Sequence, residues 1–499
     1  MIFDIFLQFM APSIILFMLL GVVCGIIGGC LPGISPSMTI ALLLPISLYM
    51  PKIAAIALLL GAYQGAMFGG SISAILINTP GTAAGAATVL DGYPMAQNGQ
   101  AGKALDMALY GSCTGGFVGC IILLCGAQAL SKVTLKFGPP EYFGLMVMSL
   151  MLISGLSGKS LLKGLLSAGL GLGASTIGIE MIYGARRFTF GNMNLLDGLS
   201  NLSLFIGLFA LSEILLILLK PKAELNEKTN IHDSSKSKLT FKEYWGEKYN
   251  MLISGIIGAF IGILPGIGGS TASFLAYAEA QRRSKTPEKF GTGIIAGIAA
   301  PESANNAVCG GALVPMLTLG IPGDVVTAIL IGALVAQGIK PGPLMFTENI
   351  GDVYMIYIGL LISVFALAIL GTLGVPLFSK ILNIRKAILF PMILTICVIG
   401  TYASRSNYFD CLVMIGFGIL GYILKRGGFP IPPMVIAFVI GSSLENSMRQ
   451  SLILSNNGAL IFFTRPICLF LLIVSAALCF YLVRRNIKDN KKSKVEVTE

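Results

Sequence analysis

The chain has 499 residues, 55% of them hydrophobic and only 11% charged, with a net charge of +11 and a mean hydropathy of +0.84. Soluble domains carry about 25% charged residues, so that class is excluded. Continuous rather than alternating apolar runs exclude a membrane β-barrel.

At about 20 residues per crossing, the apolar stretches predict an all-α polytopic membrane protein of roughly ten to twelve transmembrane or re-entrant helices. The N-terminal "MIFDIFLQFMAPSIILF" has no Lys or Arg before its apolar run. It lacks the basic region of a cleavable signal peptide and is expected to stay as the first membrane element. The first interruption is "LPGISPSMT", with Leu31, Pro32, Gly33, Ser35, Ser37 and Thr39, and the second is "NTPG", with Asn78, Thr79, Pro80 and Gly81. Helix starts are expected at Pro80 and, further on, at Pro322.

The only long hydrophilic interior segment, 221–248, carries the lone histidine, His232, and seven lysines lie between Lys220 and Lys248. It predicts a linker between membrane repeat 1 (1–220) and membrane repeat 2 (249–483), ahead of a basic tail at 484–499. Basic segments flank membranes on the cytoplasmic side, which places linker and tail there.

Beyond the linker the same signals return in order. "ILPGIGGSTAS" carries Leu264, Pro265, Gly266, Gly268, Ser270, Thr271 and Ser273; Gly310-Gly311 answers Gly69-Gly70; "IPGD" with Pro322-Gly323 answers Pro80-Gly81; and Ala336-Gln337 answers Ala96-Gln97. Four matches in one order predict an internal repeat. Only about 32 residues, Asn250 to Gln281, separate two basic segments, too few for two full crossings, so a re-entrant hairpin with its tip at "LPGIGGS" is expected. The charge-poor flanks of the first hairpin predict entry from the other face, which is an inverted-topology repeat.

Hydrocarbon offers no water to backbone groups, so a broken helix at membrane depth survives only inside protein or beside a polar cavity. Proline removes a donor and glycine permits unusual backbone angles. The free N–H groups of the resulting helix ends favour anions, and the free carbonyls favour cations such as Na+. Ser35, Ser37, Thr39, Ser270 and Thr271 cluster at these ends, although small residues also allow close helix packing. Asp324 is either a ligand or a dipole-complementing cap. In "AAPESANNAV", Glu302, Asn305 and Asn306 interrupt an apolar run. A carboxylate at bilayer depth costs about 2.5–3.5 kcal/mol, which makes Glu302 the first candidate for cation or proton coupling and Asp324 the second; a shallow interfacial turn is the competing reading.

These blocks, with "GSISAILINTPGTAAGAATVLDGYPMAQNGQAGKAL", resemble the large membrane subunit of the tripartite tricarboxylate transporters, the TctA-like permeases, over roughly residues 15–440. The resemblance implies secondary active uptake of a small carboxylate across the bacterial inner membrane. It implies Na+ or H+ coupling, a periplasmic substrate-binding protein and a small four-helix membrane subunit as partners. The substrate-binding candidates are Gly33, Ser35, Ser37, Thr39, Asn78, Thr79, Gly266, Gly268, Ser270, Thr271, Asn305 and Asn306. No G-x-x-x-x-G-K-[ST] phosphate loop is present. Ten dispersed cysteines and one histidine supply no catalytic or metal constellation, so neither an enzyme, a cofactor nor a nucleic-acid partner is expected. An anion channel and a carrier of a non-carboxylate solute are the alternatives.

Overall fold

A computed structural model describes residues 2–156, 160–219, 237–381, 386–456 and 458–496. Most of the linker, with His232, lies outside the described residues. The part before the linker begins with α1 (Ile2–Phe9), α2 (Pro12–Cys30), α3 (Pro36–Ser47), α4 (Lys52–Ile77), α5 (Gly85–Gln97) and α6 (Ala101–Thr134), and continues through α7 (Pro139–Leu156), α8 (Leu161–Ser175) and α9 (Asn201–Leu218), which contains a π-helical turn at Ile206–Leu211. After the linker come α10 (Lys248–Ile263), α11 (Gly268–Arg283), α12 (Ala296–Leu319), α13 (Val325–Ala336), α14 (Ile350–Ile381), α15 (Lys386–Arg405), α16 (Tyr408–Arg426), α17 (Ile431–Leu454) and α18 (Pro466–Glu496). Seven helices among the described residues are long and apolar enough to cross a membrane, and five shorter apolar ones accompany them. The protein is an all-α polytopic membrane protein.

Local sequence explains where helices start. Pro12 and Pro36 stand at first helical positions, where a missing N–H costs nothing. The Leu-Pro-Gly stretches break the chain between α2 and α3 and between α10 and α11, as the sequence predicts. Gly33 (φ +95°) and Gly266 (φ +84°) take the left-handed conformation that the turn requires.

The second pair of starts differs from the sequence expectation. Pro80 and Pro322 do not open helices; α5 begins at Gly85 and α13 at Val325. Thr82 Oγ1 accepts from the Gly85 N–H and Asp324 Oδ1 from the Thr327 N–H. A polar side chain just ahead of each helix, rather than proline, accepts from its first turn.

The order hairpin, long helix, short helix, long helix occurs twice, as α2/α3, α4, α5, α6 and as α10/α11, α12, α13, α14. Within each set the first helix packs on the long one, α2 on α4 and α10 on α12, and across the sets α6 packs on α12 and α14 on α4. Glycine contacts repeat in register. A Cβ on Gly25 would lie 2.4 Å from the Ala62 carbonyl oxygen and one on Gly258 2.2 Å from that of Ala304; Gly69 meets Ile26 O at 2.4 Å as Gly311 meets Ala259 O at 2.1 Å, one residue out of step with the Gly69–Gly310 pairing expected from the sequence. Asn78 and Gly320, at the C-terminal ends of α4 and α12, are both left-handed. Two backbones approach this closely only through glycine, so the duplicated glycines determine a duplicated frame.

Candidate functional site at the four helix breaks

All four breaks reach one cleft of ≈ 380 Å3, lined by Pro36 and Ser37 from the first, Thr82 to Ala84 from the second, Gly266 to Thr271 from the third and Asp324 to Val326 from the fourth, with Met67 and Pro432. That volume lies within the range of about 300–1,000 Å3 of small-molecule sites. The N-termini of α3, α5, α11 and α13 therefore face a common space. No Lys or Arg lines it, and Asp324 is its one acidic residue.

At three of these N-termini a nearby side chain accepts from the first turn. Ser35 Oγ accepts from the Met38 N–H at 3.2 Å and shares a 2.8 Å hydrogen bond with Ser37 Oγ. Thr82 accepts from the Gly85 N–H of α5 and Asp324 caps α13, as described above. The fourth, α11, has no side-chain cap, so the positive end of its dipole faces the cleft without an internal acceptor. The Gly266 N–H donates to Gly323 O at 2.8 Å, which ties the second hairpin tip to the fourth break.

Asp324 resolves into a cap that also belongs to the cleft wall. It is buried; Oδ1 accepts from the Thr327 N–H at 2.8 Å and Oδ2 from the Tyr63 hydroxyl at 2.6 Å.

Glu302 does not line the cleft. It sits within continuous α12, fully buried, so a shallow interfacial turn is not its setting. Its carboxylate accepts hydrogen bonds from Ser71 of α4, Thr88 of α5 and Ser112 of α6 at 3.0 Å. Apart from their hydroxyls these partners are ordinary small helix residues separated from it by some two hundred positions, and no local signal could have found them.

One turn further along α12, Asn305 Nδ2 donates to Met67 O at 3.0 Å, while its buried Oδ1 has no partner. That oxygen would stand 2.9 Å from a Cβ on Gly269, so it sits directly behind the cleft wall. Asn306 instead joins α12 to α4, its Nδ2 donating to Gln64 Oε1 at 2.7 Å.

Of the residues predicted for the site, Ser37, Gly266, Gly268, Ser270, Thr271 and Asp324 line the cleft. Ser35 and Thr39 do not line it, and Thr39 Oγ1 donates to Ser35 O. Gly33 is exposed at the first turn, and Asn78 and Thr79 are exposed at the end of α4, so these three lie outside the cleft. Asn78 serves as the left-handed residue that stops α4, which explains an Asn before Pro-Gly without a ligand.

The sequence reading missed Thr82, Tyr63 and Asp91. Asp91 of α5 is buried, accepts the Tyr277 hydroxyl at 2.8 Å and receives the N–H groups of Gly291, Gly293 and Ile294, fixing the loop between α11 and α12. Among the described residues no three His, Cys, Asp or Glu side chains group as a metal site.

Broken helices around a shared cleft, inside a bundle with many membrane-length helices, define the class: a polytopic α-helical membrane transporter. The chain belongs to the tripartite tricarboxylate transporter TctA family, which it matches over residues 15–436. It is similar to an Agrobacterium vitis protein described as an uncharacterized 52.8 kDa protein in the TAR-I ttuC' 3' region, 39% identical over 500 residues, covering 98% of this chain and 97% of that one. A second A. vitis protein, described as uncharacterized in the TAR-II ttuC' 3' region, is 41% identical over 215 residues, 43% of this chain and 89% of its own length. No solved structure matches significantly.

Proposed function

We propose that the protein carries out secondary active uptake of a small organic carboxylate across the bacterial inner membrane, receiving it from a periplasmic solute-binding protein. The observation that carries the reading is the convergence of four helix N-termini on one cleft that lacks Lys and Arg. Backbone donors and helix dipoles favour anions there, and the uncapped start of α11 is the place where a substrate carboxylate would supply the missing acceptor. Ser37, Ser270 and Thr271 add hydroxyl donors, while Asn305 Oδ1 offers an acceptor behind Gly269.

Glu302 is the proposed coupling group. A carboxylate accepts three hydroxyls, whereas a protonated carboxyl must also donate. Proton uptake would therefore reverse at least one hydrogen bond among Ser71, Thr88 and Ser112, linking the charge on α12 to the packing of α4, α5 and α6. A bound cation would recruit the same hydroxyl oxygens. The corresponding helices α4 and α12 run antiparallel where they touch, Gln64 meeting Asn306 and Ser71 meeting Glu302, which supports two repeats of opposite orientation, exchanging roles as the cleft opens to either side.

The test is uptake in proteoliposomes containing permease, small subunit and charged binding protein, under an imposed Na+ or proton gradient. Ser270→Ala/Thr271→Ala should raise the half-saturating substrate concentration about tenfold, the loss of about 1.4 kcal/mol of binding. Gradient-independent downhill flux in the wild type would instead assign a channel.

A further inference from the structure

Between α8 and α9 the chain forms a small antiparallel hairpin, Gly178–Ile179 paired with Arg186–Arg187. It lies at the bundle end opposite the lysine-rich linker, to which α9 runs at its other end. Lys163, at the start of α8, donates to Gly427 O beyond the end of α16, and Lys425 pairs with Glu213 near the end of α9; the hairpin follows the other end of α8 and precedes the other end of α9. By the positive-inside rule the hairpin faces the outside.

The hairpin is held rigidly. Arg187 grips Glu445 of α17 with two nitrogens, at 2.5 and 3.0 Å, and Arg449 binds the same carboxylate at 2.8 Å. Glu180 accepts the N–H groups of Ile182 and Tyr183. Beside it lies a cavity of ≈ 590 Å3 lined by Glu180, Arg187, Asp197, Arg405 and Glu445 among others. A setting this rich in charge is hydrated, not hydrocarbon.

Yet this rigid polar base presents large apolar side chains. Phe190 is 88% and Phe188 59% exposed, and Met181, Tyr183 and Met193 are exposed beside them. Both phenylalanines have positive φ, +48° and +51°, a conformation that L-residues avoid at a cost of order 1–3 kcal/mol. Strain that presents aromatic rings to water gains nothing in the isolated chain. Arg186 is also exposed and makes no ion pair with any described residue, so the patch is aromatic with an arginine at its edge.

We propose that this hairpin is the docking surface for the soluble solute-binding component, engaging a face with acidic residues around a recess that accepts Phe188 and Phe190. Aromatic anchors on a preorganised base with complementary charge form the usual energetic core of such contacts. The inference rests on the binding-protein-fed uptake proposed above. It extends that reading to a surface linked to the cleft, because α17 holds the hairpin at Glu445 and lines the cleft at Pro432.

The test places the photo-crosslinker p-benzoylphenylalanine at position 190 in the complete tripartite complex in membranes. It is paired with uptake measured against the concentration of purified, substrate-charged binding protein for Phe190→Ser and Arg186→Glu. Crosslinks to the binding protein, with a half-saturating concentration raised at least tenfold and an unchanged maximal rate, are the expected result. Crosslinks confined to the small membrane subunit or to lipid, or unchanged half-saturation, overturn the proposal. Binding of the same protein to wild-type and Phe190→Ser permease in nanodiscs reads docking without transport, so failure of the uptake reading and failure of docking are separable.

Discussion

The two halves of the bundle share a frame and differ in chemistry. Where α12 has Glu302, the corresponding position of α4 is Leu60; where α13 is capped by Asp324, α5 has Thr82 just ahead of it; and Gln64 and Asn306 occupy matching places and bond to each other. Register follows from the glycine contacts, in which Gly25 meets Ala62 as Gly258 meets Ala304. Backbone approach was duplicated, whereas both buried carboxylates among these pairs stand in the second half. The frame is therefore a requirement of folding, and under the proposed function these two carboxylates are where the halves differ in handling charge.

The largest expected effect tests the shared frame. Gly25→Val and Gly258→Val each drive a side chain into a carbonyl within 2.5 Å of the new Cβ, and each should cost at least about 1–3 kcal/mol by overpacking. Both should lose most of the monodisperse permease on size-exclusion in detergent. If only one does, the halves are not mechanically equivalent.

Next comes the chemistry that is not shared. Glu302→Gln retains the shape but removes the charge, and Glu302→Leu gives α12 the residue that α4 carries. Both should insert normally and lose cation-driven accumulation by about 100-fold in vesicle uptake, a barrier change of about 2.7 kcal/mol. Leu60→Ala should affect only stability. Wild-type accumulation in Glu302→Gln would remove that residue from coupling.

How much of this was legible in the sequence follows from the range of each signal. Leu-Pro-Gly breaks are local, so both hairpin turns could be placed from Pro32, Gly33, Pro265 and Gly266. The setting of Glu302 is legible because a carboxylate interrupts an apolar run. The hydroxyls that hold it, Ser71, Thr88 and Ser112, and the Tyr63 hydroxyl on Asp324 are tertiary partners, and an isolated Ser or Tyr in an apolar helix has many ordinary uses. Asn78 misled for the converse reason. Its amide suggested a ligand, but its backbone conformation, which the sequence does not display, makes it a helix stop.

A smaller effect separates the two hairpin tips. A Cβ on Gly266 would meet the Ile153 backbone at 2.8 Å, whereas one on Gly33 meets only the Ile217 side-chain terminus at 2.9 Å. Both alanine variants pay the left-handed backbone cost of roughly 1 kcal/mol; Gly266→Ala adds a backbone clash. Gly266→Ala should thus lower the thermal midpoint more than Gly33→Ala, and it alone should weaken substrate binding because it distorts a cleft-lining turn. Equal effects in a thermal-shift assay with and without substrate would erase the distinction between the tips.

The smallest effect lies at the join between the halves, where the linker returns to the bundle. Thr240 and Glu243 form a capping box, Lys103 of α6 bonds Glu243 at 2.7 Å, and the Leu239 N–H donates to Asp106. The Lys103 ammonium, followed by the Thr240 hydroxyl and N–H, lowers the Glu243 pKa to about 2. A carboxylate held below its ordinary range stabilises the fold above that range, and the contribution disappears as pH falls from about 4.5 through 2. Because both partners are partly exposed, the contribution should be no more than about 1 kcal/mol. Glu243→Gln keeps an oxygen for the cap but loses the charge, so its thermal midpoint should fall slightly below wild type at pH 7 and converge with it toward pH 2. A deficit that persists unchanged in acid would assign the effect to the cap and leave Lys103 as a bystander at the join.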